Sequence, residues 1–258
     1  MKNKTAKQII NTYNIWRALV CVGYLVTLAV LIFLMTRSIV IGIVGIIVLA
    51  STIKNVFIKL EEKILEPVIF DELDPEKFNE LLSLGAFKNS TRHKVLAAVS
   101  LGEHEKALEI INNYSSKIKN PLDLCNNTYR KGYIHFEREE YDKLPQIIRE
   151  YEALKTEYPQ FVGVFNNFSV FDKFDAFVDE DYEYVVDVCD IDLKEINPKK
   201  QNHKMTKINV GFYRAVSLYK LGRMDEAKKG FEDVIEFAPR MYKAKLSRDY
   251  IERIKNER

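Results

Sequence analysis

The stretch LYKLGRMDEAKKGFEDVIEFAP, residues 218–239, predicts the end of one helix, a turn at Gly222 and a second helix that stops at Pro239. A helix pair this small has no second layer of its own to cover an apolar face. The stretch therefore predicts that the pair stacks against neighbouring helices. Three apolar residues of the second helix, spaced four and three apart, share the face that needs covering: Ala227, Phe231 and Val234.

The composition suits a helical protein. The chain has 258 residues, of which 47% are hydrophobic and 29% charged, with only seven prolines and ten glycines. A formal charge of +2 is close to balance, so we predict no nucleic-acid partner. Basic residues exceed acidic ones by five in residues 1–66, which leaves −3 for the remainder. No CxxC pair occurs, which predicts free thiols in a reducing compartment, at Cys21, Cys125 and Cys189.

Two apolar runs lie within the first sixty residues. Residues 18–35, ALVCVGYLVTLAVLIFLM, contain no charge and are about long enough to cross a hydrocarbon core of ~30 Å. Residues 39–53, IVIGIVGIIVLASTI, come after a short turn. With their flanks included, we predict transmembrane spans at about 16–35 and 39–58, joined as a helical hairpin. A cleaved signal peptide and a buried core hairpin are the alternative interpretations.

The distribution of positive charge predicts the orientation of this hairpin. Cytoplasmic flanks of membrane spans carry an excess of Lys and Arg. The turn between the two runs offers only Arg37. Both termini and everything after the hairpin are therefore expected on the cytoplasmic side of a cell membrane. The flanking basic residues are Lys2, Lys4, Lys7 and Arg17 before the first run and Lys54, Lys59 and Lys63 after the second.

The next segment, 61–87, is predicted to link the hairpin to the remainder of the chain. Residues 54–66 continue the second span as a helix, either as a stalk or along the membrane surface, and Pro67 is expected to end or kink it. A further helix begins with Asp74 as N-cap and Pro75 at the first helical position. We expect this helix to cap the open end of a set of helical repeats.

The opening stretch resembles a tetratricopeptide (TPR) repeat, a helix–turn–helix unit of 34 residues with an Ala-x3-Phe…Pro pattern in its second helix. The matching residues are Ala215, Gly222, Ala227, Phe231 and Pro239, in a repeat running from 208 to 241. Similar patterns occur at 88–121 and 125–159. A weaker one at 166–199 has Lys173 and Asp192 where small or apolar residues belong, so whether it is a true repeat stays open.

Together with the two apolar runs, the resemblance implies an all-α fold, with an N-terminal two-helix transmembrane hairpin followed by a TPR-like α-solenoid. We expect the hairpin in 1–60, the repeats in 88–241 and a C-terminal capping helix in 242–258. A solenoid needs such a cap because its last repeat otherwise exposes its stacking surface. The cap is imperfect, since Lys243 and Arg253 fall near its apolar side, and a basic tail could instead contact anionic lipid.

No catalytic motif is present in the sequence. It contains no HExxH, GxGxxG, Walker A or GxSxG pattern, and its four histidines have no Cys or carboxylate partners at metal-ligand spacing. The acidic segment 178–192 lacks the internal glycine and closing glutamate of an EF-hand. We therefore predict no enzymatic activity, no metal site, no cofactor and no small-molecule substrate.

In TPR-like stacks the first helices of successive repeats line a concave groove that commonly receives an extended peptide or a helix. The chaperone-binding grooves of this family hold a terminal carboxylate with several Lys, Arg and Asn residues. That partner is not expected here, because this set has only Arg92, with Arg130 nearby. The aromatic residues favour an apolar or helical ligand, although they can equally pack between repeats. The resemblance assigns these residues to the groove: Asn89, Arg92, Asn126, Tyr129, Tyr133, Phe136, Asn167, Phe174, Asn209, Phe212 and Tyr219.

Two functions from different classes are consistent with this sequence. In the first, the hairpin tethers a cytoplasmic TPR-like scaffold that binds a protein or peptide partner through its groove. In the second, the chain is an accessory subunit of a membrane enzyme or transporter, and the hairpin itself docks against other spans. Its Lys-, Asn- and Ile-rich composition indicates a bacterial source.

Overall fold

A computed structural model describes residues 4–84, 91–115, 120–165, 169–200 and 202–257. These residues form helices and connecting turns, with no β-strand among them. The chain divides into two compact units, 1–89 and 90–258, which are described separately.

The first unit contains three helices: α1 (Ala6–Met35), α2 (Ile39–Phe70) and α3 (Pro75–Ser83). Thr5 and Gln8 form a capping box at the start of α1, which satisfies backbone N–H groups that have no partner inside the helix. At α3 the Asp74 side chain accepts a hydrogen bond of 3.0 Å from the Lys77 N–H, and Pro75 occupies the first turn. The predicted N-cap of α3 is therefore confirmed.

The two long helices pack along each other, and α3 packs against both. Pro67 neither ends nor breaks α2, which continues to Phe70, and the Asp71 N–H bonds to the Pro67 carbonyl at 3.0 Å. Of the segment 54–66, the last residues Ile64, Leu65 and Glu66 are buried. Whether the segment forms a stalk or lies along a membrane surface stays a prediction. The helix expected to cap the repeats, α3, belongs to the first unit. The buried side chains here include Ala6, Ile9, Tyr13, Leu65, Val68, Ile69, Phe78 and Leu81.

Between the buried end of the hairpin and its tip, α1 and α2 expose their apolar side chains. Both helices are long and apolar enough to span a membrane, with mean hydropathies of 2.7 and 2.2 in their most apolar windows. Those windows are 0% and 6% buried, whereas a core helix of a soluble protein would be mostly covered. The exposed side chains include Leu19, Val22, Leu25, Val26, Val30, Ile32, Phe33, Ile41, Ile43, Val44, Ile47 and Val48.

The second unit contains four consecutive helix pairs and a final helix. The pairs are α4 (Thr91–Leu101) with α5 (His104–Ser115), α6 (Pro121–Glu137) with α7 (Leu144–Glu157), α9 (Val170–Val178) with α10 (Tyr182–Glu195), and α11 (His203–Lys220) with α12 (Met224–Phe237). A short helix, α8 (Val162–Phe165), precedes the third pair, and α13 (Tyr242–Asn256) ends the unit. Single 3₁₀ turns occupy Tyr141–Lys143 and Pro159–Phe161.

All four pairs use the same turn. One residue in each turn has a left-handed backbone, with φ of 77° at Gly102, 58° at Glu139, 58° at Glu180 and 74° at Gly222. The N–H of the following residue bonds back to the carbonyl five positions earlier, which is the six-to-one bond of a Schellman motif. The fifth residue after each left-handed position is at most 1% exposed; these are Ala107, Leu144, Val185 and Ala227. The pair at 166–199 therefore repeats the turn of the others.

The two residues that weakened the sequence match at 166–199 contact each other. Lys173 is buried, and its Nζ lies 2.6 Å from a carboxylate oxygen of Asp192. Buried charges are tolerated when they are paired and hydrogen-bonded, and the Ser169 hydroxyl also accepts from Lys173 at 3.1 Å. An ion pair therefore occupies the place where the pattern has two apolar side chains.

The last helix reaches the first pair of its unit. Helix α13 packs mainly on α12, but it also contacts α11 and α4. The Tyr242 ring lies so close to Gly102 that a Cβ on Gly102 would fall 2.3 Å from it. Elements of an open solenoid touch only their neighbours along the chain. The second unit thus closes on itself, which the predicted role of α13 as a simple cap did not include.

Candidate functional site

Four of the predicted groove residues lie in the core of the second unit. Tyr133, Phe136, Phe174 and Phe212 are each at most 4% exposed. Ring centroids of Phe136 and Tyr213 are 4.5 Å apart in an edge-to-face contact, which is favourable for aromatic pairs. In this structure the four side chains pack between helices and present no surface to a partner.

Helix α13 covers this part of the predicted groove. The Lys243 Nζ lies 3.9 Å from the centre of the Tyr133 ring, and the Tyr250 ring lies 6.2 Å from Phe212 and 5.2 Å from Tyr219. Tyr219, which is half-buried, also donates a hydrogen bond to Glu257 at the end of the chain. We call Tyr133, Phe136, Phe174, Phe212 and Tyr219 the closed half of the groove, because the protein itself fills it.

A buried ionic cluster joins three elements in the closed half. Glu137 at the end of α6 contacts His104 Nε2 at 2.8 Å and forms an ion pair with Lys243 of α13. Burial alone would raise the pKa of Glu137, but the Lys243 ammonium and the His104 hydrogen bond outweigh burial and hold that pKa below its ordinary value. Burial lowers the pKa of Lys243, and Glu137 offsets only part of this effect. The cluster fixes α13 to α5 and α6.

Sequence reasoning missed this cluster. Its partners lie 33 and 106 residues apart, so no local pattern relates them. One signal was present, namely the position of Lys243 and Arg253 near the apolar side of α13. Both have a carboxylate partner in the structure, and Arg253 bonds to Glu139 at 2.6 Å.

The other described groove residues remain accessible. Arg92 is exposed, while Asn126, Tyr129 and Asn209 are half-buried. The Asn126 side chain donates to the Leu122 carbonyl at 2.8 Å, so its amide is partly engaged within α6. Burial raises the pKa of Tyr129 to about 12, and Asn209 is within hydrogen-bonding reach of its hydroxyl.

Arg130 adjoins these residues and is also half-buried. We call Arg92, Asn126, Tyr129, Arg130 and Asn209 the open half of the groove. Its two cations influence each other: burial, and then the neighbouring charge of Arg92, lower the pKa of Arg130 to about 10. Arg130 therefore stays positive at neutral pH. Asn89 and Asn167, also predicted for the groove, lie outside the described residues.

The rest of the second unit offers little chemistry. A cleft of about 210 Å³ lies between α10, α11 and α12, and its polar edge carries Arg214 and Asp190, which pair with each other at 2.6 Å. Within the described part of the chain, no group of three or more His, Cys, Asp or Glu side chains is placed to hold a metal ion. Burial raises the pKa of the Cys125 and Cys189 thiols to about 12, which disfavours the reactive thiolate.

Comparison with models of known protein families, with curated proteins and with solved structures gives no match to this chain. The resemblance to TPR repeats therefore rests on the residue pattern of the sequence.

Proposed function

We propose that this protein is a membrane-anchored, TPR-like helical scaffold, which binds a protein or peptide partner through the open half of its groove on the cytoplasmic side. The observation that carries the proposal is the contrast along α1 and α2. Their apolar windows are almost entirely exposed, whereas Ala6 and Ile9 at one end of α1 and Leu65 at the far end of α2 are buried. Lipid is the solvent that suits such a band.

The burial at the base of the hairpin also argues for an anchor over a cleaved signal peptide. Ala6, Ile9 and Tyr13 precede the apolar window and are at most 2% exposed, and the Tyr13 hydroxyl donates to Glu61 of α2 at 3.3 Å. Removal of α1 would take these contacts away from the first unit. An anchor thus keeps a packed base that cleavage of a signal peptide would dismantle.

The binding role is supported by what the open half retains. It combines two cations, amide groups and a phenol on a surface that is recessed but accessible. Because the closed half serves the core, this surface is the part of the predicted groove that a partner can reach. Residues of this kind can bind both the backbone and the charged side chains of a peptide.

Site-specific photo-crosslinking in cells tests the proposal. A photo-reactive amino acid replaces Asn126 in the open half, and a control places it at the exposed Lys229 of α12. We expect the full-length chain in the membrane fraction to give a discrete adduct from position 126 and none of the same mass from position 229. Identical adducts from both positions, or a chain recovered from the soluble fraction, would contradict it.

Replacing residues 18–58 by an unrelated hairpin separates the scaffold from the accessory subunit. A scaffold keeps the adduct from position 126, because the hairpin only tethers it. If the swapped chain still reaches the membrane but loses the adduct, specific contacts of the hairpin are required and the accessory-subunit interpretation replaces ours.

A further inference from the structure

Buried and half-buried cations of the second unit differ in whether a described residue supplies a carboxylate partner. Lys173, Arg214 and Lys243 each have a carboxylate partner within their own chain, the first two at 2.6 Å. Among the residues that the structure describes, Arg130 has no carboxylate within 4 Å. Its guanidinium makes one long contact, 3.5 Å from Nη1 to Oδ1 of Asn127.

The surroundings of Arg130 make the absence of a carboxylate partner unusual. Its position is deep enough that burial, the largest effect on it, lowers its pKa to about 10. Arg92 on α4 adds a second positive charge and lowers that pKa further. Tyr129 and Asp123 act in the opposite direction, but Asp123 lies two turns earlier on α6 and makes no ion pair with it. A half-buried guanidinium without a carboxylate partner is partly desolvated, and an added anion would offset that cost.

We propose that Arg92 and Arg130 form a binding site for the side-chain carboxylates of an acidic peptide segment. This deepens the proposed function and rests on it, because it names the chemistry of the partner that the open half receives.

The number of donors favours side chains over a chain terminus. Each guanidinium can match one carboxylate, so a pair of arginines suits two or more carboxylates better than the single one of a chain terminus. A run of Asp or Glu offers several carboxylates to the pair, and Arg binds each with a planar fork that matches its geometry. Arg92 is exposed at the start of α4 and Arg130 lies deeper on α6, so the acidic side chains would enter from the Arg92 side.

A direct binding measurement tests this site on the full-length protein in detergent. The probe is a fluorescent hexaglutamate peptide with both ends blocked, followed by fluorescence anisotropy, and a blocked hexaglutamine peptide is the reference. We expect hexaglutamate to bind and hexaglutamine not to bind. The Arg130→Gln and Arg92→Gln variants should each weaken hexaglutamate binding by about tenfold, since charged hydrogen bonds are lost.

Arg149→Gln is the matched control. Arg149 lies exposed on α7, the partner helix of α6, so its substitution removes the same charge without touching the open half. Its binding should equal that of the wild type. Hexaglutamate binding that is no stronger than hexaglutamine binding, or an equal loss in all three variants, would overturn the proposal. Arg92 is exposed, so that variant keeps the test valid if Arg130→Gln fails to fold.

A second peptide, identical in sequence to the hexaglutamine reference but with a free terminal carboxylate, separates the two sources of the anion. We expect it to bind no better than the blocked peptide. Tight binding that depends on Arg130 would assign the site to a chain terminus and overturn the choice of side chains. If position 126 still crosslinks its partner while hexaglutamate does not bind, the scaffold stands and only the acidic chemistry fails.

Discussion

Two positions on α6, two turns apart, differ in how they handle a positive charge. At the C-terminal end of the helix, Glu137 receives Lys243 from a helix 106 residues later in the chain, and the surrounding rings are buried. Near the middle of the helix, Arg130 lies close to Arg92, and the described chain places no carboxylate at ion-pair distance from Arg130. The first position is thus completed by the protein itself, whereas the second is left without an ionic partner.

Under the proposed function, this contrast distinguishes a structural site from a binding surface. Aromatic residues on the first helices of repeats are as suited to packing as to binding, so their identity alone does not assign them. What distinguishes the two roles is whether the chain itself supplies a partner for the side chain. Where α13 provides an ammonium and a tyrosine ring, the groove is core. Where the described chain provides no anion for Arg130, we propose that a ligand provides it.

The largest effect is expected from Lys243→Met. Methionine keeps much of the length of the side chain but leaves the Glu137 carboxylate buried with only His104 as its partner. Breaking a buried pair in this way costs about 3 to 5 kcal/mol. Urea titration of the full-length chain in detergent, followed by hydrogen exchange of α13 and α6, measures the loss.

Two variants sharpen this measurement. Lys229→Met on α12 removes an exposed lysine from a surface ion pair with Asp233 and should change stability little, because water and salt screen such pairs. Glu137→Gln combined with Lys243→Met removes both charges and should recover most of the loss. If the double variant is as unstable as Lys243→Met alone, the ion pair is not what holds α13 in place.

A smaller effect is expected from Gly102→Ala, with Gly222→Ala as its comparison. Both glycines have left-handed backbones, where any residue with a Cβ is strained by about 1 to 2 kcal/mol. A Cβ on Gly222 would meet nothing within 4 Å, whereas one on Gly102 would strike the Tyr242 ring. We therefore expect Gly102→Ala to cost about 1 kcal/mol or more beyond Gly222→Ala, from overpacking.

The same urea titrations measure that difference, and Tyr242→Ala supplies its test. The truncation has a cost of its own, but on that background Gly102→Ala should cost no more than Gly222→Ala does, because the obstructing ring is gone. Equal costs of the two glycine substitutions in the wild-type background would show that α13 does not press on the first pair.

The local parts of this fold could be predicted from the sequence. The turn at Gly222 and the N-cap at Asp74 depend on nearest neighbours in the chain, and the structure confirms them. The sequence left open whether 166–199 is a true repeat, because the exchange of two apolar residues for an ion pair cannot be recognised until both residues are placed.

The closure of the groove could not be predicted in this way. It depends on how far successive pairs rotate, which brings α13 against α4, and no periodicity in a single helix encodes that angle. Tyr133 and Phe212 therefore suit a ligand contact and a core position equally well on sequence alone. The same limit applied to α3, whose apolar face was evident from Phe78 and Leu81 while the unit that covers it was not.

Acid should destabilise the closed half of the groove before the open half. The pKa of Glu137 is lower in the folded protein than its ordinary value, so its contribution is present above that ordinary pKa and is lost as the pH falls through the folded pKa. Wild type should therefore lose more stability than Glu137→Gln between neutral and acidic pH, by about 1.4 kcal/mol for each unit of pKa difference. Urea midpoints at a series of pH values compare the two, and parallel curves would exclude this contribution.

The smallest change in stability is expected for the cation that has no carboxylate partner in the described chain. Arg130→Met makes the same kind of substitution as Lys243→Met, a deep cation replaced by an apolar side chain. Because Arg130 leaves no buried carboxylate behind, we expect a change within about 1 kcal/mol, of either sign, in the urea titration. Arg214→Met, which breaks a half-buried pair with Asp190, should fall between the two.

A loss for Arg130→Met as large as for Lys243→Met would mean that the open half is also part of the core. Unchanged stability together with lost hexaglutamate binding would show that the protein keeps this charge for a ligand.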